Sequence, residues 1–336
     1  MTYLVRTNVA LGPLTTLKTG GTASYYQEIT TVSELEKAVV YAHEAQLPFC
    51  VLGGGSNMLV SDEGYKGMVL HMKLLGRTYS EVTNDMCTLT VSAGEVFDEV
   101  IKDTVDKGLW GLENLSHIPG TVGATPVQNV GAYGVEVSDC IMHVTVFDTD
   151  TNKIFDLQKS ECSFAYRHSI FKEKNNFVIV SVTFALSVKS NPKISYADIA
   201  ARVSATATPV MIREAIISIR SEKFPDWNNV GTAGSFFKNP IITAGEAQSL
   251  LAKYPDIPTY LAADGMVKVS LGYILDKLCG LKGFAVGPVR LYEKQALVLV
   301  AERGATTTDI KNFKNIISEK VFQKTFIKIF QEVTEI

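Results

Sequence analysis

Residues 49–57 read Phe49-Cys50-Val51-Leu52-Gly53-Gly54-Gly55-Ser56-Asn57. Four apolar residues in a row read as a short buried strand, and the glycines end it. Consecutive glycines let backbone N–H groups converge on a phosphate with no Cβ in the way. Ser56 and Asn57 add side-chain donors. No Gly-Lys-Ser/Thr follows, so this is not a Walker loop. It is not a dinucleotide fingerprint either. The third glycine is wrongly spaced, and Met58-Leu59-Val60 reads as another strand, not as the opening of a helix. Taken alone, the stretch is either a tight turn or a phosphate cradle.

Working outward, Ser33-Glu34-Leu35-Glu36 reads as a capping box for a helix with Leu35, Val39 and Val40 on one side. A second apolar run, 68–72, follows the turn-like Ser61-Asp62-Glu63-Gly64. Thr88, Thr90 and Ser92 alternate with Leu89, Val91 and Ala93, which predicts a strand. Residues 95–107 predict a helix stopped by Gly108, and strands return at 141–148 and 177–186. Thr208-Pro209 opens a helix that turns Ile212, Ala215, Ile216 and Ile219 to a core. Pro225-Asp226-Trp227-Asn228-Asn229 reads as a boundary. Beyond it come a helix capped by Thr243 and Glu246, a helix near 270–279 stopped by Gly280, and a strand at 296–300. A helix carrying Ile310, Phe313, Ile317 and Val321 on one face and an alternating strand near 326–333 close the chain. Helices and strands interleave without strict βαβ regularity, so the expected fold class is α+β.

The length of 336 residues suggests two or three domains. A formal net charge of −3 argues against a protein built to bind nucleic acid, which needs a strongly basic face. The hydrophobic share of 46% is too high for disorder. The longest apolar stretches, 177–186 and 296–301, fall short of the roughly 18 residues of a membrane span. No basic segment followed by an apolar run stands near residue 1, so no signal peptide is read and a cytoplasmic protein is expected. The five cysteines are odd in number, with no CxxC pair, which predicts reduced thiols. The histidines are scattered without metal-ligand spacing, so no metal site is expected.

Four further segments could carry chemistry. The glycine-rich loop holding Pro119, Gly120, Val122, Gly123, Ala124, Gln128, Asn129, Ala132, Tyr133 and Gly134 could lie against a large planar ligand and its phosphates, or be structural. In Tyr166-Arg167-His168-Ser169-Ile170-Phe171-Lys172, Arg167 is either a surface arginine or a fork for a carboxylate or phosphate. Ser235, in Gly234-Ser235-Phe236-Phe237-Lys238-Asn239-Pro240, lacks the nucleophile elbow of acyl transfer. It is a turn serine or a relay for one proton. Glu332 reads as solvated tail or as a functional carboxylate.

Together these segments resemble the UDP-N-acetylenolpyruvoylglucosamine reductase family. The resemblance rests on residues 53–57, Gly111-Leu112-Glu113-Asn114-Leu115, Ile118-Pro119-Gly120, 128–134, 166–172, 233–240 and Ala263-Asp264-Gly265, in the family's order. It implies a two-part FAD-binding domain of the vanillyl-alcohol-oxidase type plus a smaller α+β substrate-binding domain. The implied division is 1–73, joined by a C-terminal strand at 326–336, then 74–224 with a lid insertion near 190–200, then 225–325. The resemblance implies non-covalent FAD held by Gly53, Gly54, Gly55, Ser56, Asn57 and the 119–134 loop, with His117 making no flavin bond. It implies NADPH as co-substrate and UDP-N-acetylglucosamine enolpyruvate as substrate, in ping-pong order, in a monomer. Arg167, Ser235 and Glu332 match the catalytic positions. Arg167 and Glu332, the latter in its acid form, would stabilise an enolate, and Ser235 would give C2 its proton. Tyr166, Tyr196, Lys223, Asn239, Tyr260, Lys282 and Gln295 match substrate-binding positions. Tyr196, in Asn191-Pro192-Lys193-Ile194-Ser195-Tyr196, looks like the lid tyrosine of the family's type I branch. A flavin oxidase and a non-catalytic binding module are the competing readings.

Overall fold

In the computed structural model, which describes residues 5–336, Phe49–Leu52 is a strand parallel to Tyr65–Met72, with Leu52 opposite His71. The sheet runs Arg6–Ala10, Thr22–Ile29, Tyr65–Met72, Phe49–Leu52. Helix Val32–Glu44 lays Leu35, Ala38, Val39 and Ala42 into the core that contains Met68 and Leu70. Its capping box is Thr31 with Glu34, two residues earlier than the sequence pattern suggested at Ser33. Val40 is 41% exposed, because the buried stripe follows positions 35, 38, 39 and 42.

A second, antiparallel sheet runs Lys153–Gln158, Ile141–Asp148, Phe177–Ser187, Met86–Ser92, Arg77–Tyr79. Its outer strands escaped the sequence reading: the first is nearly all exposed, and the second has three residues. Helix Phe97–Asp106 buries Phe97, Val100, Ile101 and Val105, and ends before Gly108 at φ +71°. Helix Pro209–Lys223 packs Ile212, Ile216 and Ile219 with Trp110 and Ile199. These elements form one compact unit of residues 5–9, Ala23–Gly55 and Lys66–Arg220.

The other unit gathers Ala10–Thr22, Ser56–Tyr65 and Ser221–Ile336. Segments 10–22 and 56–65 belong to this unit by their contacts, together with the chain from Ser221 onward. Helix Thr307–Thr325 buries Ile310, Phe313, Ile317 and Val321. Two three-stranded sheets accompany it, one of Ile241–Ile242, Val267–Val269 and Thr259–Leu261, the other of Ala285–Val286, Val289–Leu291 and Leu299–Ala301. Helix Ala244–Lys253 carries the expected Thr243–Glu246 box. Leu271–Tyr273 widens into a π turn at Ile274–Leu278. The strand expected at 326–333 is not regular. Ile327, Ile329 and Val333 are buried, but only Thr334–Glu335 forms a strand, parallel to Met58–Leu59. Alternation reports one-sided burial, and a ladder also needs a partner.

All five cysteines are free, and Cys87, Cys140 and Cys162 are buried. Among the described residues, no helix is long and apolar enough to cross a membrane, and no cluster of His, Cys, Asp or Glu has the geometry of a metal site.

Candidate active site

The strand Phe49–Leu52 delivers the glycine loop directly against residues 120–121. A Cβ at Gly53 would lie 2.6 Å from Thr121 Oγ1, and one at Gly54 would lie 2.8 Å from Gly120 Cα. Only glycine allows two backbones this approach. Among the described residues, no acceptor takes the N–H of Gly54 or Gly55. Thr121 Oγ1 is buried with no hydrogen-bond partner. Open N–H groups and an orphaned hydroxyl in a Cβ-free slot have the donor set of an anion cradle. The phosphate reading of the loop is therefore the one this geometry favours over a plain turn.

The 119–134 loop is stitched down along 93–97. Val122 N–H donates to the Glu95 carbonyl, Gly123 N–H to Ala93 and Ala124 N–H to Thr121. These three residues therefore offer a wall and not donors. Asn129 is fully buried at φ +44°, and its amide nitrogen donates to Glu136 Oε2 at 2.6 Å and the Ala165 carbonyl at 3.2 Å. Its oxygen accepts from Ser138 N–H. The Asn129 side chain thus shapes the loop, with the 165–168 turn fastened to it. On that turn, Arg167 stands at φ +54°, lies 5.5 Å over the Tyr166 ring, and donates from Nη2 to the Gly131 carbonyl at 3.2 Å. The structure brings Arg167 to the loop next to Ala132, Tyr133 and Gly134. Tyr133 and Arg167 in left-handed backbone mark strain of the kind that gathers at functional sites.

The expected lid meets the same loop. The Tyr196 ring packs edge-on to Tyr133 with centroids 5.3 Å apart. Asn114, fully buried, donates from one amide nitrogen to the carbonyls of Tyr133 at 3.0 Å and Lys193 at 2.7 Å. Burial pushes the Tyr133 phenol up, opposed by Arg220, which hydrogen-bonds it. Arg220 also donates to the His117 carbonyl at 3.0 Å. Asp98 accepts both nitrogens of the Arg213 fork, at 2.6 and 2.9 Å, and takes His117 N–H. Burial raises the Asp98 carboxyl, but the hydrogen bonds from Arg213 and His117 outweigh it and hold it below the usual carboxylate range. None of Asn114, Asp98, Arg213 or Arg220 was singled out by sequence. Asn114 lies inside the Gly111-Leu112-Glu113-Asn114-Leu115 motif, while the others join positions too far apart to signal one another.

In the second unit, residues 235–238 run between 297–298 and 330–332. Ser235 bridges Val298, Phe236 N–H donates to Leu297, and Glu332 N–H donates to the Phe236 carbonyl at 2.8 Å. Asn57 joins them: its side chain donates to the Glu332 carbonyl at 3.4 Å, and its own carbonyl accepts from Thr334. Ser235, Glu332 and Asn57 are therefore assembled, and Glu332 is half-buried, not solvated tail. Asn239 Oδ1 accepts from Leu271 N–H at 3.0 Å, and Gln295 Oε1 lies beside Gly272, so these two meet at one helix start. Lys282 pairs with Asp276 at 3.3 Å. Tyr260 is 56% exposed and opposite Lys268, whose ammonium lies 5.5 Å over the ring. Lys268 is a cation that the sequence reading passed over. Lys223 ends its helix half-buried, and Ser56, Pro119 and Gln128 are half-buried in their loops.

The model of an FAD binding domain matches residues 23–157, and that of the UDP-N-acetylenolpyruvoylglucosamine reductase C-terminal domain matches 226–336. The chain is 43% identical over 288 residues to the UDP-N-acetylenolpyruvoylglucosamine reductase of Neisseria gonorrhoeae, covering 84% of this chain and 83% of that one. It is 37% identical over 335 residues to the Dechloromonas aromatica reductase, covering 97% and 98%. The crystal structure of the Thermus caldophilus reductase superposes with a TM-score of 0.71 over 99% of both chains at 24% identity, which speaks for the fold. On these matches, the chain belongs to the UDP-N-acetylenolpyruvoylglucosamine reductase family.

Proposed function

We propose that this chain reduces the enolpyruvyl ether of UDP-N-acetylglucosamine to UDP-N-acetylmuramate, with NADPH as the electron source. It is a FAD-dependent oxidoreductase acting on a carbon–carbon double bond in peptidoglycan precursor synthesis. The residues fit FAD: the slot at Gly53 and Gly54, with the orphaned Thr121 hydroxyl, would take a pyrophosphate, and the 128–134 loop would hold the flavin part. When bound, FAD would supply hydride-transfer chemistry between NADPH and C3 of the enolpyruvyl group.

The chain's own residues manage the charge that this leaves. Negative charge builds on C2 and the substrate carboxylate. Arg167, fixed over Tyr166 and against Gly131, brings a permanent cation to that charge. Glu332 in its acid form donates a hydrogen bond to the enolate. Ser235 Oγ gives a proton to C2 and sets its stereochemistry. Lys223, Asn239, Tyr260, Lys282 and Gln295 bind the nucleotide sugar, and Tyr166 and Tyr196 close on it. The protein works as a cytoplasmic monomer.

The observation that carries this reading is the ladder holding Ser235 and Glu332 one residue apart across Phe236. An anaerobic titration tests it. NADPH should bleach the flavin, and UDP-N-acetylglucosamine enolpyruvate should restore the yellow colour. Flavin that stays reduced after that addition sinks the substrate assignment and leaves the cofactor standing. Rapid reoxidation by air alone would instead favour an oxidase.

A further inference from the structure

We propose that Lys314 is a positioning residue that fixes the backbone carrying Glu332, and so aims the Glu332 carboxyl. This rests on the role proposed above for Glu332. Helix Thr307–Thr325 turns Ile310, Phe313, Ile317 and Val321 to the core, with Lys311 and Lys314 one turn apart beside them. Lys314 Nζ donates to Gln331 Oε1 at 2.8 Å and to Glu335 Oε1 at 3.2 Å. Lys311 pairs with the other Glu335 oxygen at 3.0 Å. One half-buried ammonium thus holds a residue on each side of Glu332.

Glu332 needs such a hold because the chain changes ladder partner beside it. Lys238 N–H donates to the Phe330 carbonyl at 3.0 Å, and Glu332 N–H to the Phe236 carbonyl at 2.8 Å. Two residues on, Thr334 N–H donates to the Asn57 carbonyl at 3.1 Å, and Thr334–Glu335 runs parallel to Met58–Leu59. The backbone therefore passes from one neighbour to another at Val333. The Val333 carbonyl accepts from Gln331 Nε2 at 2.9 Å, a side-chain bond that spans Glu332.

Charge decides which way the Gln331 amide faces. An ammonium only donates, so Lys314 takes the amide oxygen. That leaves the amide nitrogen for the Val333 carbonyl. Without the cation nothing holds the oxygen, and the bracket across Glu332 is free to open. The ion pairs themselves add little to folding, because charges in reach of solvent gain little from pairing. What they supply is aim, and a catalytic group displaced by as little as ~1 Å loses rate.

The test uses the full flavin-loaded chain in stopped flow, with melting recorded alongside. Lys314→Met keeps the apolar stem and removes the ammonium. It should slow flavin reoxidation by UDP-N-acetylglucosamine enolpyruvate about tenfold, as for a misplaced group. Flavin reduction by NADPH should stay as in the parent, and melting should stay within a few degrees of it. Lys314→Arg keeps the cation and should restore most of the rate. In a Glu332→Gln background, Lys314→Met should cost no more than about threefold further, because the group it aims is already gone. A purely structural role would carry its full factor into both backgrounds. The proposal is overturned if Lys314→Met reoxidises like the parent while Glu332→Gln is slow. It is overturned equally if both half-reactions slow together, or if the losses at 314 and 332 multiply. Reoxidation at the parent rate in Glu332→Gln would remove the role proposed for Glu332, and this proposal with it.

Discussion

Glu332 donates its backbone N–H to the carbonyl of Phe236 at 2.8 Å, so a carboxyl and the neighbouring Ser235 hydroxyl hang on one short ladder. Phe236 and Phe237 are buried and pack edge-on at 5.2 Å, which anchors that ladder in the core. The groups proposed to meet the developing charge are thus held by packing rather than by each other, as preorganised donors require.

Replacing Ser235 by alanine separates the two half-reactions. Flavin reduction by NADPH should proceed as in the parent. Reoxidation by the enolpyruvyl substrate should slow by about 10²–10⁴, the usual worth of a positioned proton donor. Stopped-flow absorbance of the flavin reads both steps. Equal slowing of both would remove Ser235 from the proton-donor role.

Gly54→Ala places a Cβ 2.8 Å from Gly120 Cα, where backbone must move. We expect purified protein to lose most of its flavin, read as the ratio of visible to ultraviolet absorbance. A substitution at Gly245, where a Cβ meets nothing within 4 Å, should leave the ratio unchanged.

Asp98→Asn removes the charge facing Arg213 and should cost about 1–3 kcal/mol at pH 7. The Asp98 carboxyl is held below its ordinary range in the folded chain. Its stabilisation is therefore complete above the unfolded value near pH ~4 and is lost as pH falls through the lower folded value. The melting gap between parent and variant should be constant from pH 8 to 5 and narrow below about pH 4.

Asn114→Ala strips the carbonyls of Tyr133 and Lys193 of a shared donor. The cost should be about 1–3 kcal/mol in stability. Because one of those carbonyls belongs to the segment proposed as a lid, KM for the substrate should rise more than kcat falls. Steady-state kinetics with unchanged flavin reduction by NADPH would confirm the split; a fall in kcat alone would argue against a lid role.

Burial pushes the Cys140 thiol up to about 12 and the Cys162 thiol to about 11. Neither should react with a disulfide reagent at pH 8 in the native state. Counting thiols before and after denaturation, resolved by mass spectrometry, should find both among those released only on unfolding.

Local chemistry was legible where one segment carries its whole signal. The Thr243–Glu246 box, the Phe49–Leu52 strand and the buried stripe of Thr307–Thr325 all follow from periodicity and caps. The misread elements are those that depend on a neighbour. The capping box slid from Ser33 to Thr31 because both positions offer a hydroxyl three residues before a glutamate. The 326–333 segment alternates without a ladder partner over most of its length.

By itself the sequence determined the α+β class, the order of the motifs and, through them, the family and its catalytic candidates. Those depend on residue identity and spacing along the chain. Tertiary structure alone decided that Asn57 sits against Glu332, that Asn129 reaches the Ala165 carbonyl, and that His71 lies opposite Leu52. Each joins residues distant in sequence through a hydrogen bond or a strand register. Such contacts leave no periodic trace in a linear pattern, because they are set by which backbones the core brings together.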